Sequence, residues 1–257
     1  GIRAADVVGT DGHWRAFYPV KRPCLSDLLV DQAFDSIAAW YAARCSPSKL
    51  LEEAYEATDF FPALGSGGKW LRFTAAAIRD SAGSLVGAME TLEDITERKD
   101  AEGALKESEE RLRAILEGLP TPTFVIDGNH RVIGWNRALE ELTGVRRDHV
   151  IGTSRHTEIF YGSSRPTVAD LLARETADPA AEVEKWYGGD YRRSGLLDEA
   201  FEAIGPFAFP GREEKWLHFT SAAVRDRKGD VFGAVETMTD ISALKRAEEE
   251  LRQSVER

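Results

Sequence analysis

The 257-residue sequence is poor in cysteine, with Cys24 and Cys45 as its whole complement. Two cysteines build no disulfide framework and no zinc-finger spacing, and they suit a reducing cytoplasm. It also lacks a basic excess: the net charge is -11, which argues against a general binder of nucleic acid or anionic membrane. No stretch reaches the length of a membrane-spanning helix, and the N-terminus carries no signal-peptide pattern. The expectation is a cytoplasmic fragment, with any membrane anchor of its parent protein lying outside it. Neither a Walker loop nor a nucleophile elbow is present, and no two histidines or cysteines stand at metal-ligand spacing. The sequence therefore reads as a non-enzyme without metal ligands. What is present is a globular balance, 42% hydrophobic and 30% charged, with length enough for two domains.

The chain repeats itself. Residues 1–29 align without a gap on 144–172, with 13 identities, and after a three-residue insertion residues 69–102 match 215–248 at 19 of 34 positions. So long a period means duplication of a whole domain rather than a solenoid. Residues 118–143 have no counterpart in the first copy.

In the second copy, 122–127 and 131–135 read as a hairpin around Asp127-Gly-Asn-His130. Residues 136–143 read as a helix capped by Asn136 and stopped by Gly144. Residues 166–204, polar and alanine-rich, suggest several short helices. Strands follow at 216–225 and 231–239, repeated in the first copy at 70–79 and 84–93. The pattern is an α+β domain with one antiparallel sheet and helices on one face. Between the copies, Arg98, Ala101, Leu105, Ser108, Leu112, Ile115 and Leu119 fall at alternating three- and four-residue steps. Leu244, Ala247, Leu251 and Ser254 repeat that seam at the end. The spacing fits a parallel dimer through linker helices, against a plain helix packed on its own domain.

Leu92-Glu-Asp-Ile-Thr-Glu-Arg-Lys99, running into a helix, resembles the C-terminal (PAC) signature of PAS domains, and Asp240-Ile-Ser is a weaker version. Phe124-Val-Ile-Asp127, Val132-Ile-Gly-Trp-Asn136 and Leu142-Thr-Gly144 resemble the opening of the same fold. The resemblance covers 118–248 nearly end to end, and 1–102 without the opening hairpin. It implies a duplicated PAS fold, each complete copy a five-stranded antiparallel sheet enclosing a pocket for a small molecule or cofactor. The expected division is an incomplete PAS domain at 1–94, a linker helix at 95–118, a complete PAS domain at 119–241 and a signalling helix at 242–257. The implied function is sensory: a pocket whose state is relayed through terminal helices to an output domain in the same parent chain. That output is expected to be the histidine kinase of a two-component system, or else a diguanylate cyclase. Gly188-Gly189-Asp190 is only a partial echo of a cyclase motif. The alternative is a ligand-free spacer that dimerises. In PAS sheets the first strand lies beside the last, so the first copy is expected to cover its last strand with another segment or a partner chain, or to be partly disordered; a bare edge at 84–93 would contradict this.

One constellation recurs: His13, Phe17, Tyr18, Arg22 and Pro23 in the first copy; His156, Phe160, Tyr161, Arg165 and Pro166 in the second. These residues could line a pocket, with arginine gripping a carboxylate. In the plainer reading Phe and Tyr are core, Arg-Pro fixes a helix start with proline in its first turn, and histidine bonds a backbone carbonyl. Trp40-Tyr41 and Trp186-Tyr187 read as core, or as a stacking surface for a planar ligand. Alternation places Leu71, Phe73, Leu217 and Phe219 on the inner face, and Trp70 and Trp216 outward toward linker helices or a partner. Glu90 and Glu236 would point inward and need a partner, with Arg22 and Arg165 the obvious candidates. The cofactor is left unknown. Flavin photochemistry through a cysteine is excluded, because the matching stretches, Gly9-Thr-Asp-Gly-His13 and Gly152-Thr-Ser-Arg-His156, contain none. Haem on a single histidine is disfavoured by the early position of His13 and His156.

Overall fold

The computed structural model describes residues 2–41, 44–49, 51, 53–174, 176, 178–195, 197 and 199–255. Gly1 and the last two positions of the expected signalling helix, 256 and 257, lie outside the described residues. The chain divides into two compact units, Gly1–Ser108 and Glu109–Arg257.

The first unit contains helices α1 (Leu25–Val30) and α2 (Phe34–Tyr41) and strands β1 (Cys45–Pro47), β2 (Ala54–Phe61), β3 (Lys69–Arg79) and β4 (Leu85–Asp94). The sheet runs β1-β2-β3-β4 and is antiparallel throughout. Leu25, Leu28 and Leu29 of α1 and Tyr41 of α2 meet Leu71 and Phe73 of β3 in one core. Leu71 and Phe73 thus face inward, as strand alternation dictates.

Helix α3 (Thr96–Gly118) runs across the division between the units. The second unit then forms β5 (Thr123–Asp127), β6 (Val132–Trp135), α4 (Arg137–Thr143), α5 (His156–Tyr161), α6 (Val168–Leu172), α7 (Pro179–Tyr187), β7 (Tyr191–Arg193), β8 (Ala200–Phe207), β9 (Lys215–Arg225), β10 (Val231–Asp240) and α8 (Ser242–Val255). Its sheet order is β6-β5-β10-β9-β8-β7, so β5 sits between its own hairpin partner and the last long strand. This is the α+β PAS arrangement. Asn136 caps α4 by accepting the Leu139 N–H, and Gly144 ends it in the left-handed region at φ 77.

Three expectations need correction. The second sheet has six strands, rather than the five expected of a complete copy, because the short β7 joins its edge. Within 166–204, helices α6 and α7 form, but β7 and the start of β8 are strands. The alanines of β8 pair with β9, Ala200 opposite Ala222 and Ala203 opposite Phe219, and β7 pairs with β8; burial against neighbours overrides weak intrinsic preference. Finally, β4 pairs with β3 alone, and no other described segment of the first unit covers its far side. Val86, Met89 and Leu92 on it are exposed, so cover from this chain's own first unit is overturned.

Candidate functional site

The sites of both copies grow from one joint between a short helix and the last strand. In the second copy Thr167 caps α6, accepting the Asp170 N–H while Asp170 answers with a carboxylate bond to the Thr167 N–H at 2.8 Å. The same Asp170 carboxylate accepts His156 Nε2 at 3.1 Å on both oxygens and His130 Nδ1 at 2.9 Å. Burial works to raise the Asp170 pKa, but the His156 hydrogen bond and charge, with the Thr167 amide and hydroxyl, outweigh it and hold the group below the usual carboxylate range. An ionised carboxylate only accepts, so both histidine nitrogens aimed at it are donors. His156 is fully buried, and its Nδ1 has no partner.

One residue before Asp170, the Ala169 N–H donates to Glu236 Oε2 at 3.1 Å, and the Ser221 hydroxyl donates to the same oxygen. Glu236 on β10 is buried, which pushes its pKa up to about 7 against the pull of those two donors. The first copy repeats the frame with fewer parts. His13 Nε2 meets Asp27 Oδ2 at 2.9 Å, the Asp27 carboxylate takes the Cys24 N–H at 2.8 Å, and Glu90 Oε2 accepts the Ser26 N–H at 3.0 Å. Ala75 stands where the second copy has Ser221.

A second cluster lies around the tyrosines. Tyr161 and Tyr187 share a hydroxyl hydrogen bond at 2.9 Å, and Tyr187 donates to the Pro166 carbonyl at 2.9 Å. Burial holds both phenols far above the ordinary tyrosine range, so they stay protonated. The Arg165 guanidinium lies 4.9 Å from the Tyr161 ring and 4.6 Å from the Tyr187 ring, and donates to the Trp186 carbonyl. Phe160, Phe207 and Phe219 complete an open cleft of about 730 Å³ including its mouth. The first copy matches it: Arg22 lies 4.1 Å from the Tyr18 ring and donates to the Trp40 carbonyl, while Tyr18 and Tyr41 hydroxyls stand 3.4 Å apart. Phe17 packs edge-on against Phe61.

Set against the sequence reading, Phe160, Tyr161, Arg165, Tyr187 and Phe219 converge on one cleft, whereas His156 and Glu236 belong to the buried joint. Leu217 is core. Four readings change. Glu236 and Glu90 are held by a helix amide, not by Arg165 or Arg22, because those arginines are committed to aromatic rings and tryptophan carbonyls. His156 and His13 bond aspartate side chains, not backbone carbonyls. Pro23 and Pro166 precede the caps Cys24 and Thr167 instead of occupying the first helical turn. Trp40 and Trp186 are exposed, and only the tyrosine of each pair is buried. Asp27, Asp170 and Ser221 were missed; a residue three past a cap, in the Thr-x-x-Asp and Cys-x-x-Asp pattern, was the available signal. The structure also brings His13, Cys24 and Asp27 together, although no ligand spacing marks them.

The joint leads outward. Asp240 Oδ1 accepts the Ser242 N–H at 2.9 Å, the Ile241 N–H donates to the Trp216 carbonyl at 2.8 Å, and the Trp216 N–H donates to Ser242 Oγ at 2.9 Å. Asp94, Ile95, Thr96 and Trp70 make the same set in the first copy. Lys69 and Thr96 hold Asp94 down to about 2. Trp70 and Trp216 face the linker helices, with Lys99 Nζ at 6.0 Å and Lys245 Nζ at 5.7 Å from their rings.

A sheet whose first strand lies against its last, with a helix capped from that last strand and a second helix leaving it, defines a PAS-type module. The PAS fold family matches residues 110–241, and the chain belongs to that family. It is similar to the sensor protein FixL of Bradyrhizobium diazoefficiens, 39% identical over 85 residues, which cover 33% of this chain and 17% of FixL. A phytochrome of Mougeotia scalaris is 28% identical over 143 residues, 52% of this chain and 13% of the phytochrome. The chain thus spans less than a fifth of either relative. Among solved structures, the PAS domain of Bordetella pertussis BvgS aligns over 57% of this chain and 98% of its own, with 20% identity and a TM-score of 0.35. Among the described residues no helix is long and apolar enough to cross a membrane.

Proposed function

We propose that this chain is a sensory relay: a PAS tandem that reads occupancy of its tyrosine-arginine cleft and passes the state through α3 and α8 to an output domain of the parent protein, with a histidine kinase the leading candidate and a diguanylate cyclase the alternative. The observation that carries the reading is the repeated joint. In both copies a last-strand glutamate holds a short helix, and four residues further on the Asp-Ile-Thr or Asp-Ile-Ser turn locks that strand to the exit helix. Movement of α6 over the sheet is therefore coupled by hydrogen bonds, not by loose packing, to the root of α8.

The ligand class that suits the cleft is a small organic anion, since Arg165 is its cation and two protonated phenols line its wall. Arg155 stands at the position matched to a flavin-adduct cysteine, so a flavin in this pocket would be held without that bond. Catalysis is not assigned to this chain. Ser221, His156 and Asp170 have the composition of a hydrolytic set, yet all three are buried and the Ser221 hydroxyl is given to Glu236, which leaves no path for a substrate carbonyl.

A cytoplasmic homodimer through the linker helices completes the proposal. Leu105 and Leu112 of α3 are 63% and 64% exposed, and Leu251 of α8 is 68% exposed. The apolar seam is thus not spent on the chain's own domains, and like seams from two copies bury each other. Native mass spectrometry tests both parts. A dimer carrying mass beyond the polypeptide is expected, reduced to monomer in a Leu105→Glu, Leu112→Glu, Leu251→Glu variant; a wild-type monomer ends the dimer proposal.

One observation favours the spacer reading: the interior between sheet and helices is filled by Phe124, Trp135, Phe160, Phe207, Phe209 and Phe219 in mutual ring contact. Isothermal titration with small carboxylates separates the two. Heat that disappears in Arg165→Gln supports the sensor; no binding by any carboxylate at millimolar concentration supports the spacer.

A further inference from the structure

The two helix joints differ at one position that changes their chemistry. Where the second copy caps its helix with Thr167, the first uses Cys24, whose thiol is free and buried. His13 Nε2, Cys24 Sγ and an Asp27 carboxylate oxygen all lie within 4.8 Å of one another. To reach the ligand spacing of a tetrahedral zinc ion, whose bonds run about 2.0–2.3 Å, His13 Nε2 and Asp27 Oδ2, now 2.9 Å apart, must open by a few tenths of an ångström and the Cys24 sulfur must draw in by at most about 1 Å.

The surroundings suit a cation. Asp27 Oδ2 takes the Cys24 N–H and the His13 ring nitrogen, leaving its carboxylate fixed in place by the helix cap. The His13 and Asp27 side chains are 40% and 33% exposed, so ions enter from solvent. They face a cleft shared with Asp11, Asp31, Lys21 and Arg22. Its two cations are occupied elsewhere: Lys21 pairs with Asp11 and Arg22 lies over the Tyr18 ring. His156 and Asp170, their equivalents in the second copy, are sealed and have Thr167 for a third member. That oxygen is a poor zinc ligand beside a thiolate.

We propose that His13, Cys24 and Asp27 form a zinc-class divalent cation site peculiar to the first copy, with its fourth position open to the cleft. Zinc takes the Nε2 lone pair of the neutral His13 ring, whose one proton then sits on Nδ1, and displaces the Cys24 thiol proton to solvent; no electron is transferred. The ion would pin the turn at His13–Ala16 to α1, whose Ser26 amide is held by Glu90 of β4, and so stiffen the strand that leads into α3.

Cobalt(II) titration of the whole chain, reduced and stripped by a chelator, tests the site. A thiolate-to-cobalt charge-transfer band saturating at one ion per chain, and displaced by zinc, is expected. Cys24→Thr writes the second copy's own cap into the first and is expected to fold, as circular dichroism reports. In it the band disappears and zinc affinity, read by competition with a chromophoric chelator, falls on the order of 100-fold, the upper end of the cost of losing even an outer-shell partner. Cys45→Ala keeps both. Absence of the band in the wild type, its survival in Cys24→Thr, or its loss in Cys45→Ala overturns the proposal.

Discussion

The two copies share a frame, and one hairpin separates their chemistry. In the second copy β5 lies beside β10 with β6 beyond it, and the Phe124 ring packs tilted against His156 at 5.4 Å. His156 is left with no exposed surface, and Glu236 is sealed in with a shifted pKa. In the first copy no described strand of that unit pairs with the far edge of β4, and the matching His13 and Glu90 are only partly buried. The shared histidine, aspartate and glutamate are thus sealed from water in one place and half-open to it in the other, and burial decides which; the cap residue, Thr167 or Cys24, and Ser221 against Ala75 differ in kind as well.

A pair of glycines registers the same difference and gives the sharpest way to break the comparison. A Cβ on Gly233 of β10 would stand 2.2 Å from the Ile126 carbonyl oxygen of β5, whereas one on the equivalent Gly87 of β4 meets nothing within 4 Å. Gly233→Ala must push two strands apart and is expected to destabilise the second unit by about 3 kcal/mol or more. Gly87→Ala is expected to be neutral or to stabilise the first by about 0.5 kcal/mol. Urea unfolding followed by tryptophan fluorescence checks both, and equal effects would mean that β4 is covered in solution.

The pH dependence gives a second, somewhat smaller contrast. A carboxyl whose folded pKa lies above its unfolded value stabilises fully below the unfolded pKa, and that contribution is lost as pH rises through the folded one. For Glu236 the window runs from 4.5 to about 7. Across it the wild type should lose up to about 3 kcal/mol from this group, a loss absent in Glu236→Gln. Melting temperatures measured from pH 4 to 8 would show the two curves diverging toward high pH; parallel curves would mean that Glu236 is solvated.

The smallest contrast concerns the aspartates. Asp170→Asn removes the charge and turns one of two acceptor oxygens into a donor facing the histidines or the Thr167 amide in a buried place, and about 2 kcal/mol is expected. Asp27→Asn acts where water can substitute, and a cost under about 1 kcal/mol is expected. Thermal denaturation of the two variants ranks them, and the reverse order would contradict the burial argument.

Much of this was legible in the chain. The duplication, both long hairpins, the hairpin of 123–135, the Asn136 cap and the inward Leu71, Phe73, Leu217 and Phe219 follow from alternation, turn residues and self-similarity, all local signals. Strand β8 was not legible, because its alanines, glycine and proline carry little strand preference until β9 lies beside them, and the three-residue β7, Tyr-Arg-Arg, is too short to show alternation and forms only against β8. Glu236 could be placed inward by counting along its strand, but its partner could not be named. The Ala169 amide lies 67 positions away, and any polar group could in principle fill that need.

What the sequence alone determined is therefore the repeated frame: element order, the inner face of each sheet, the exit turn after each last strand, and a seam of apolar residues on the linker helices. Periodicity of two and of 3.6 residues encodes these directly. Only the tertiary structure decided which groups meet across the frame, namely glutamate with a helix amide, histidine with aspartate, and arginine with tyrosine rings. It also decided that, among the described residues, no strand of the first unit pairs with the far edge of β4, while β5 covers that of β10. Those outcomes depend on how much water each group keeps, a property of the packed whole that no local pattern carries.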